Sequence, residues 1–288
     1  VTLRARWDAF WHAPEPARNL AAARMLLAGT ALWMVLSRAD LPGVLAFPPE
    51  LWTGVGSARS ARFLLGAPLV AERVLFGLLH LALLGALVGA YPRPACFLSG
   101  LLLYHFAPLE TIIRSPNPYL RGFTIPTLGL MILSFAPGVD ALRWRPRRTA
   151  PPPFVTPAWP LRLVQVLFCQ IYLFAGWAKL VTSGLAWPTV ENVRGYLLAL
   201  NQGLSADPAS SLGYAVADRS WACALIGWGG LALEFAFPLV LFSPAARLVL
   251  LPAALLFHAG NALLFRIFFQ NVFLLLLFVD WGRPRSGS

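Results

Sequence analysis

Apolar residues run along this chain in long continuous stretches, without the strict alternation of strands. A membrane-crossing helix needs about 20 mostly apolar residues. Stretches near that length occur at 20–36, 74–91, 95–110, 123–137 (short), 161–181 and 220–242. A seventh, 245–281, is too long for one helix and slightly short for two. Ala259-Gly260 lies inside it and Arg266 comes soon after, so the pattern predicts two helices with a break or tight turn near there. The expected fold is an all-α polytopic membrane bundle of about eight helices, with seven or nine as alternatives. Barrel strands are shorter and alternate, which these stretches do not. One membrane domain is expected over 1–288, with an interfacial segment at 1–19, the bundle at 20–281 and a tail at 282–288.

Composition agrees with the pattern. The chain is 58% hydrophobic and only 12% charged, with a mean hydropathy of +0.66. A soluble domain of this length carries far more polar surface. The net charge of +11 has an explanation that needs no nucleic acid. Arginines group before the first stretch (Arg4, Arg6, Arg18), between the fourth and fifth (Arg143 to Arg162) and after the last (Arg283, Arg285). With eight spans these groups share one side, which the positive-inside rule makes cytoplasmic, against anionic lipid. The expected place is therefore the cell membrane, multi-pass, with both termini cytoplasmic. Asp40, Glu50, Glu72, Glu191, Asp207 and Asp218 fall on the opposite side.

Trp7, Phe10 and Trp11 at helical spacing suggest a short interfacial helix. No cleavable signal is expected, because the first apolar run lacks a small-residue cleavage site. Cys96, Cys169 and Cys223 are isolated and read as packing residues rather than a disulfide framework or zinc site. The basic, proline-rich 143–160 reads as a semi-rigid linker. Two long segments, 37–73 and 182–219, are either caps over a site or ordinary connections, and 190–199 has the pattern of a short helix.

Ionisable groups deep in a bilayer cost roughly 2.5–3.5 kcal/mol at a helix centre and usually face a cavity or a partner. Arg24, His80, His105, Lys179, Glu234 and His258 fall within the apolar stretches, as do Asn261, Gln270 and Asn271. Lys179 is the single lysine among 23 basic residues. One reading is that it snorkels to the outer interface. Arginine snorkels too, however, and arginine cannot give up its proton. A desolvated lysine can, and a neutral lysine is a general base or nucleophile. Tyr172, Gly176 and Lys179 share one helix stripe, with the glycine permitting close approach of another helix. Glu234 has three roles open to it: charge partner for Lys179 or Arg24, protonated acid, or proton relay. His258 and Asn261 share a face, as a structural pair or as part of a site. His80 and His105 are candidates to line a site, with packing as the competing reading. No local ligand spacing supports a metal. No phosphate-cradling loop, serine nucleophile motif or paired-cysteine redox motif is present, so no nucleotide is expected.

"YLFAGWAKL" with Trp187 shortly after it resembles the lysine motif of the vitamin K-dependent γ-carboxylases and their bacterial relatives, the horizontally transferred transmembrane (HTTM) domain family. "LFHAGNALLFRIFFQNVFLLLLF" resembles that family's Phe-His-x-x-Asn segment, and "NPYLRG" its loop before the fourth helix. The resemblance implies a membrane-embedded enzyme using reduced vitamin K or menaquinone, with O2 and CO2 as co-substrates and a peptide or small acidic substrate. It gives Lys179 the role of base toward the hydroquinone, whose reaction with oxygen makes a stronger base that removes a γ-proton from glutamate before CO2 adds. His258 and Asn261 then line the same site, with Glu234 beside them in the catalytic set. Asn117, Tyr119, Tyr172, Gly176, Trp187, His80 and His105 are the residues expected around the quinone.

The family pattern has histidine where this chain has Asn117. The large non-cytoplasmic region of the carboxylases is also not expected here. Both features argue against processive glutamate carboxylation. The rival readings are a non-enzymatic transporter or a peptide export or maturation factor using the same polar groups, and a structural partner whose lysine anchors its helix.

Overall fold

The computed structural model describes residues 2–38, 41–46, 69–113, 122–144, 155–202 and 208–282. These residues are almost entirely helical, and the chain is an all-α polytopic membrane protein. Five helical segments are long and apolar enough to cross a bilayer among the described residues: Ala17–Leu36, Leu69–Val88, Trp159–Ala186, Ser220–Leu241 and Pro244–Leu264. By packing, the chain divides into two compact units, residues 1–164 with 279–288, and residues 165–278.

The first unit opens with α1 (Leu3–His12), which buries none of its side chains. Its three rings stack edge-on, Trp11 lying against both Trp7 and Phe10. Strand β1 (Pro14–Pro16) leads into α2 (Ala17–Leu36) and pairs antiparallel with β2 (Val155–Pro157). The other helices of this unit are α3 (Leu69–Val88), α4 (Pro92–Ile113) and α5 (Thr124–Ser134), the last short as the sequence predicts. Helix α2 is the buried one. It packs on α3 and α5 through Leu20, Ala21, Leu27, Ala28, Ala31 and Val35, all at 0% exposure. Close approach to α5 needs Gly129, because a Cβ there would stand 2.8 Å from the Leu27 side chain.

Arg24 is wholly buried in α2 and has a structural task. Its guanidinium donates to the Ala86 carbonyl, to Leu142 O at 2.5 Å and to Leu87 O at 3.5 Å. Ala86 and Leu87 close the last turn of α3, where carbonyls have no intrahelical donor. The arginine thus caps α3 from a neighbouring helix, with its positive charge on the negative end of the helix dipole. The chain then turns through Gly89 and Tyr91, both at positive φ, into α4. Asn19 joins the ends of this unit. It donates to Glu15 and Asp280 and accepts from the Trp281 backbone N–H at 2.7 Å. The start of α2, strand β1 and residues 280–281 therefore lie together.

In the second unit, α6 (Trp159–Ser183, from Gln165 onward) continues through a 3-10 turn to α7 (Val190–Asn201) and α8 (Pro208–Ala217). Thr189 caps α7 by accepting from Asn192 N–H, so the helix expected over 190–199 forms and extends to Asn201. Val193, Leu197, Ala217 and Cys223 pack into a small core. Helices α9 (Ser220–Ala236, extended by a 3-10 turn to Leu241) and α10 (Pro244–Leu264) complete the unit.

Two expectations need correction. The break in the last apolar stretch lies beyond Ala259-Gly260, which are inside α10. It falls at 265–269, where Arg266 takes φ 58. Beyond the break the chain forms no second α-helix but a 3-10 helix, Gln270–Phe278. At about 2.0 Å per residue it spans only ~18 Å, well short of a ~30 Å hydrocarbon core. The five irregular residues add at most ~17 Å, so only the two together can make a crossing. Secondly, Glu72 is no loop acid. It sits in the first turn of α3 at 0% exposure.

The three cysteines are free and buried, as their isolated spacing predicts.

Candidate functional site

The second unit gathers its polar groups where α6, α9 and α10 carry them. Lys179 lies one turn before the end of α6 and forms an ion pair with Glu234 of α9 through Oε1. The lysine side chain is 20% exposed and the glutamate side chain 4%. The sequence left snorkelling open for Lys179 and three roles open for Glu234. The structure pairs the two, and Arg24 belongs elsewhere.

Gly176 explains how the pair forms. A Cβ at that position would stand 3.1 Å from the Phe235 ring and 3.2 Å from Glu234 Cβ. The missing side chain lets α9 come close enough to put the carboxylate within reach of a lysine one turn further along α6. Trp187, just past α6, covers the ammonium with its ring at 5.4 Å. That geometry is a cation–π contact.

Two turns before Lys179 on the same stripe, the Tyr172 hydroxyl is hydrogen-bonded to His258 Nε2 of α10 at 2.7 Å. The Tyr172 ring stacks on Phe237 at 3.9 Å. Phe269, in the irregular segment after α10, meets the His258 ring edge-on at 5.4 Å. Asn261 turns its amide back to its own helix, donating to Phe257 O at 2.8 Å, while its backbone carbonyl accepts from Phe265 and Ile267 N–H. It shapes the end of α10 beside His258.

Two polar atoms in this group are buried without a partner, Glu234 Oε2 and His258 Nδ1. Buried polar atoms nearly always find one.

The break after α10 is held by Asn201, a residue outside the set that the sequence predicts. Wholly buried at the end of α7, it donates to Leu264 O at 2.8 Å and accepts from Arg266 Nε at 3.4 Å. Its amide also donates to Leu197 O one turn back, but nothing in its local sequence marks the role at the break, since the two partners there lie more than 60 residues away.

The remaining predicted site residues divide. His80 and His105 belong to the first unit. His80 Nδ1 donates to Phe76 O one turn back on its own helix. His105 Nε2 donates to Glu72 Oε2 at 2.8 Å, and Glu72 Oε1 is buried without a partner. Asn117 and Tyr119 lie outside the described residues. No three His, Cys, Asp or Glu side chains come together to hold a metal ion among the described residues.

Several helices apolar and long enough to cross a bilayer define a polytopic membrane protein, and its second unit holds a buried lysine–carboxylate pair among aromatic rings. A family model makes the class specific. The HTTM domain matches residues 61–281, and the chain belongs to that family of vitamin K-dependent carboxylase-related membrane proteins. The curated proteins and the solved structures contain no match to the chain.

Proposed function

We propose that this chain is a membrane enzyme that draws on a lipid-soluble quinol, with Lys179 and Glu234 as its proton-handling pair. The observation that carries the reading is the position of the single lysine. It is paired with a buried carboxylate whose second oxygen has no partner, in a family related to the vitamin K-dependent carboxylases.

The residues present fit a quinol such as reduced menaquinone or vitamin K. Trp187 offers an aromatic face, and Glu234 Oε2 and His258 Nδ1 await hydrogen-bonding partners. A bound hydroquinone supplies electrons for reduction of O2 and a phenolic proton. Shift of the Nζ proton of Lys179 onto Glu234 Oε1 leaves the amine neutral. The amine then accepts the ligand's hydroxyl proton, and the ammonium so formed supplies the counter-charge at that end. Where water is excluded, such a charge is worth several times what it is worth in bulk water. Tyr172, held by His258, orients the opposite end of the site, and Gly176 keeps α9 in place.

The enzyme works in the cell membrane with both termini cytoplasmic. The meeting of Asn19 with Asp280 and Trp281 supports termini on one side, and the arginine groups support its being the inner one. Quinol oxidation is the retained step. Asparagine at position 117 cannot gain or lose a proton near neutral pH, so CO2 addition to a glutamate acceptor is weak. The broken crossing at 265–269 favours a second reading, because interrupted helices recur where transporters bind their cargo. In that reading the same groups conduct a solute or a peptide.

Lipid extraction of the purified chain and anaerobic titration with reduced menaquinone test the proposal. Co-purified quinone and oxygen-dependent oxidation of added quinol are expected. With labelled bicarbonate and a glutamate peptide, little incorporation is expected, and a rise in the Asn117→His variant. Absence of bound quinone, of binding and of turnover would leave the transport reading.

A further inference from the structure

We infer that the molecule held at the Lys179–Glu234 pair is uncharged where it meets the pair, brings a hydroxyl group to Glu234 Oε2, and cannot be a carboxylate. This deepens the quinol reading and takes its choice of ring from it. The charge argument itself is independent.

The lysine alone would be an anion receptor. Its paired carboxylate cancels that charge, and the cancelling group is the more deeply buried of the two, at 4% against 20% side-chain exposure. What the pair still offers is an acceptor. Oε2 is buried and has no donor, so the matching group is an O–H or N–H. An incoming carboxylate would bring a second negative charge beside the first and another set of acceptors, with no donor for Oε2.

No other cation in this unit is placed to rescue it. Residues 165–278 hold five lysine and arginine side chains. Arg194 is engaged with Ala217 O and Ser220 Oγ, Arg247 with Val240 O, and Arg266 with Asn201 Oδ1. Arg219 is exposed at the start of α9, about 22 Å along the helix from Glu234 at 1.5 Å per residue. Lys179 is the fifth, and it is taken. Specificity of this kind rests as much on repelling the wrong ligand as on attracting the right one.

Full-length protein in nanodiscs, kept anaerobic, is titrated with two matched pairs of probes. The first is 2-methyl-1,4-naphthohydroquinone against 1,4-dihydroxy-2-naphthoate, the same ring with a carboxylate in place of the methyl. The second, lacking the hydroquinone, is 1-naphthol against 1-naphthoate. The neutral member of each pair is expected to bind at least ten-fold tighter. Glu234→Gln, which leaves Lys179 as an uncancelled cation, is expected to shrink or reverse that preference. Wild-type protein that binds the carboxylates as well as the neutral rings overturns the inference, whether or not the variant folds. So does a preference that Glu234→Gln leaves unchanged. Discrimination within the naphthol pair without hydroquinone binding would sink the quinol reading and keep the inference. Hydroquinone binding without charge discrimination would do the reverse, and no binding by any probe sinks both.

Discussion

Replacing Lys179 by methionine keeps most of the side-chain volume and removes the charge. Glu234, at 4% exposure, would then have neither oxygen partnered, since Oε2 already has none. Removing one member of a buried ion pair typically costs about 3–5 kcal/mol, most of it the penalty on the charge left behind. Lys179 keeps a fifth of its side chain exposed, so some solvent reaches the pair and the lower end, ~3 kcal/mol, is expected. Replacing both partners by apolar residues of similar size is often neutral. Lys179→Met/Glu234→Leu is therefore expected within ~1 kcal/mol of the wild type, so the double-mutant cycle should be non-additive by at least ~2 kcal/mol. The three buried free cysteines supply the readout. Thermal unfolding of the protein in nanodiscs exposes them to a maleimide dye, and ~3 kcal/mol corresponds to a fall in midpoint of about 6–12 °C for a chain of this size. If both single variants unfold within a degree or two of the wild type and the double variant is merely additive, no pair couples these residues, and the acid–base site built on it fails with it.

Lys179→Arg keeps the cation and the pairing to Glu234 but cannot accept a proton. It should unfold like the wild type while losing about 10²–10⁴-fold in quinol oxidation, and undiminished turnover would reduce Lys179 to an anchor. Arg24→Met removes the donors to Ala86 and Leu142 carbonyls. Each orphaned buried acceptor costs about 1–3 kcal/mol, so a loss of stability of ~2–4 kcal/mol without change in quinol affinity is expected in the same unfolding assay. On a cysteine-free background, cysteine at Ala150 should label from the cytoplasmic side and cysteine at Ser205 from the outside, and the reverse pattern would invert the topology.

Lys179 was visible from composition, since one lysine among arginines is a local anomaly that needs no partner to be noticed. Its partner was visible only as a member of a set. Glu234 lies 55 residues away, and nothing short of the packing of α6 on α9 chooses it over the other candidates. Gly176 announced close approach, but not that the approaching helix would bring a carboxylate. Glu72 departs from its sequence expectation for a physical reason. It precedes Arg73 at the edge of an apolar run, so hydropathy puts it outside the helix, while the α3–α4 pairing buries it against His105. Hydrophobic periodicity tells where a chain can enter lipid. It does not tell which flanking charge is taken in along with it.

The end of α10 carries the break that the sequence predicts near Arg266, a few residues later than Ala259-Gly260. Leucines and phenylalanines dominate 262–278, with Arg266, Gln270 and Asn271 among them, and by apolarity alone most of the stretch is helix. The helix nevertheless stops at Leu264, because Arg266 takes a positive φ and Asn201 meets both the last carbonyl and the arginine. For a non-glycine residue that conformation is uncommon and is held by its surroundings. Unwound backbone within a membrane is tolerated where it is buried in protein or lines a polar cavity. Here it begins a few residues after His258 and returns Phe269 to the histidine ring. The asparagine thus acts on the candidate site without being part of it. Asn201→Leu removes the donor to Leu264 O and the acceptor for Arg266 together. If the break is what holds the histidine, the tautomer balance of His258, read from its ring 15N shifts, should move in that variant and recover in Asn201→Gln. An unchanged imidazole signal would mean that α10 ends where it does for reasons unconnected with the histidine.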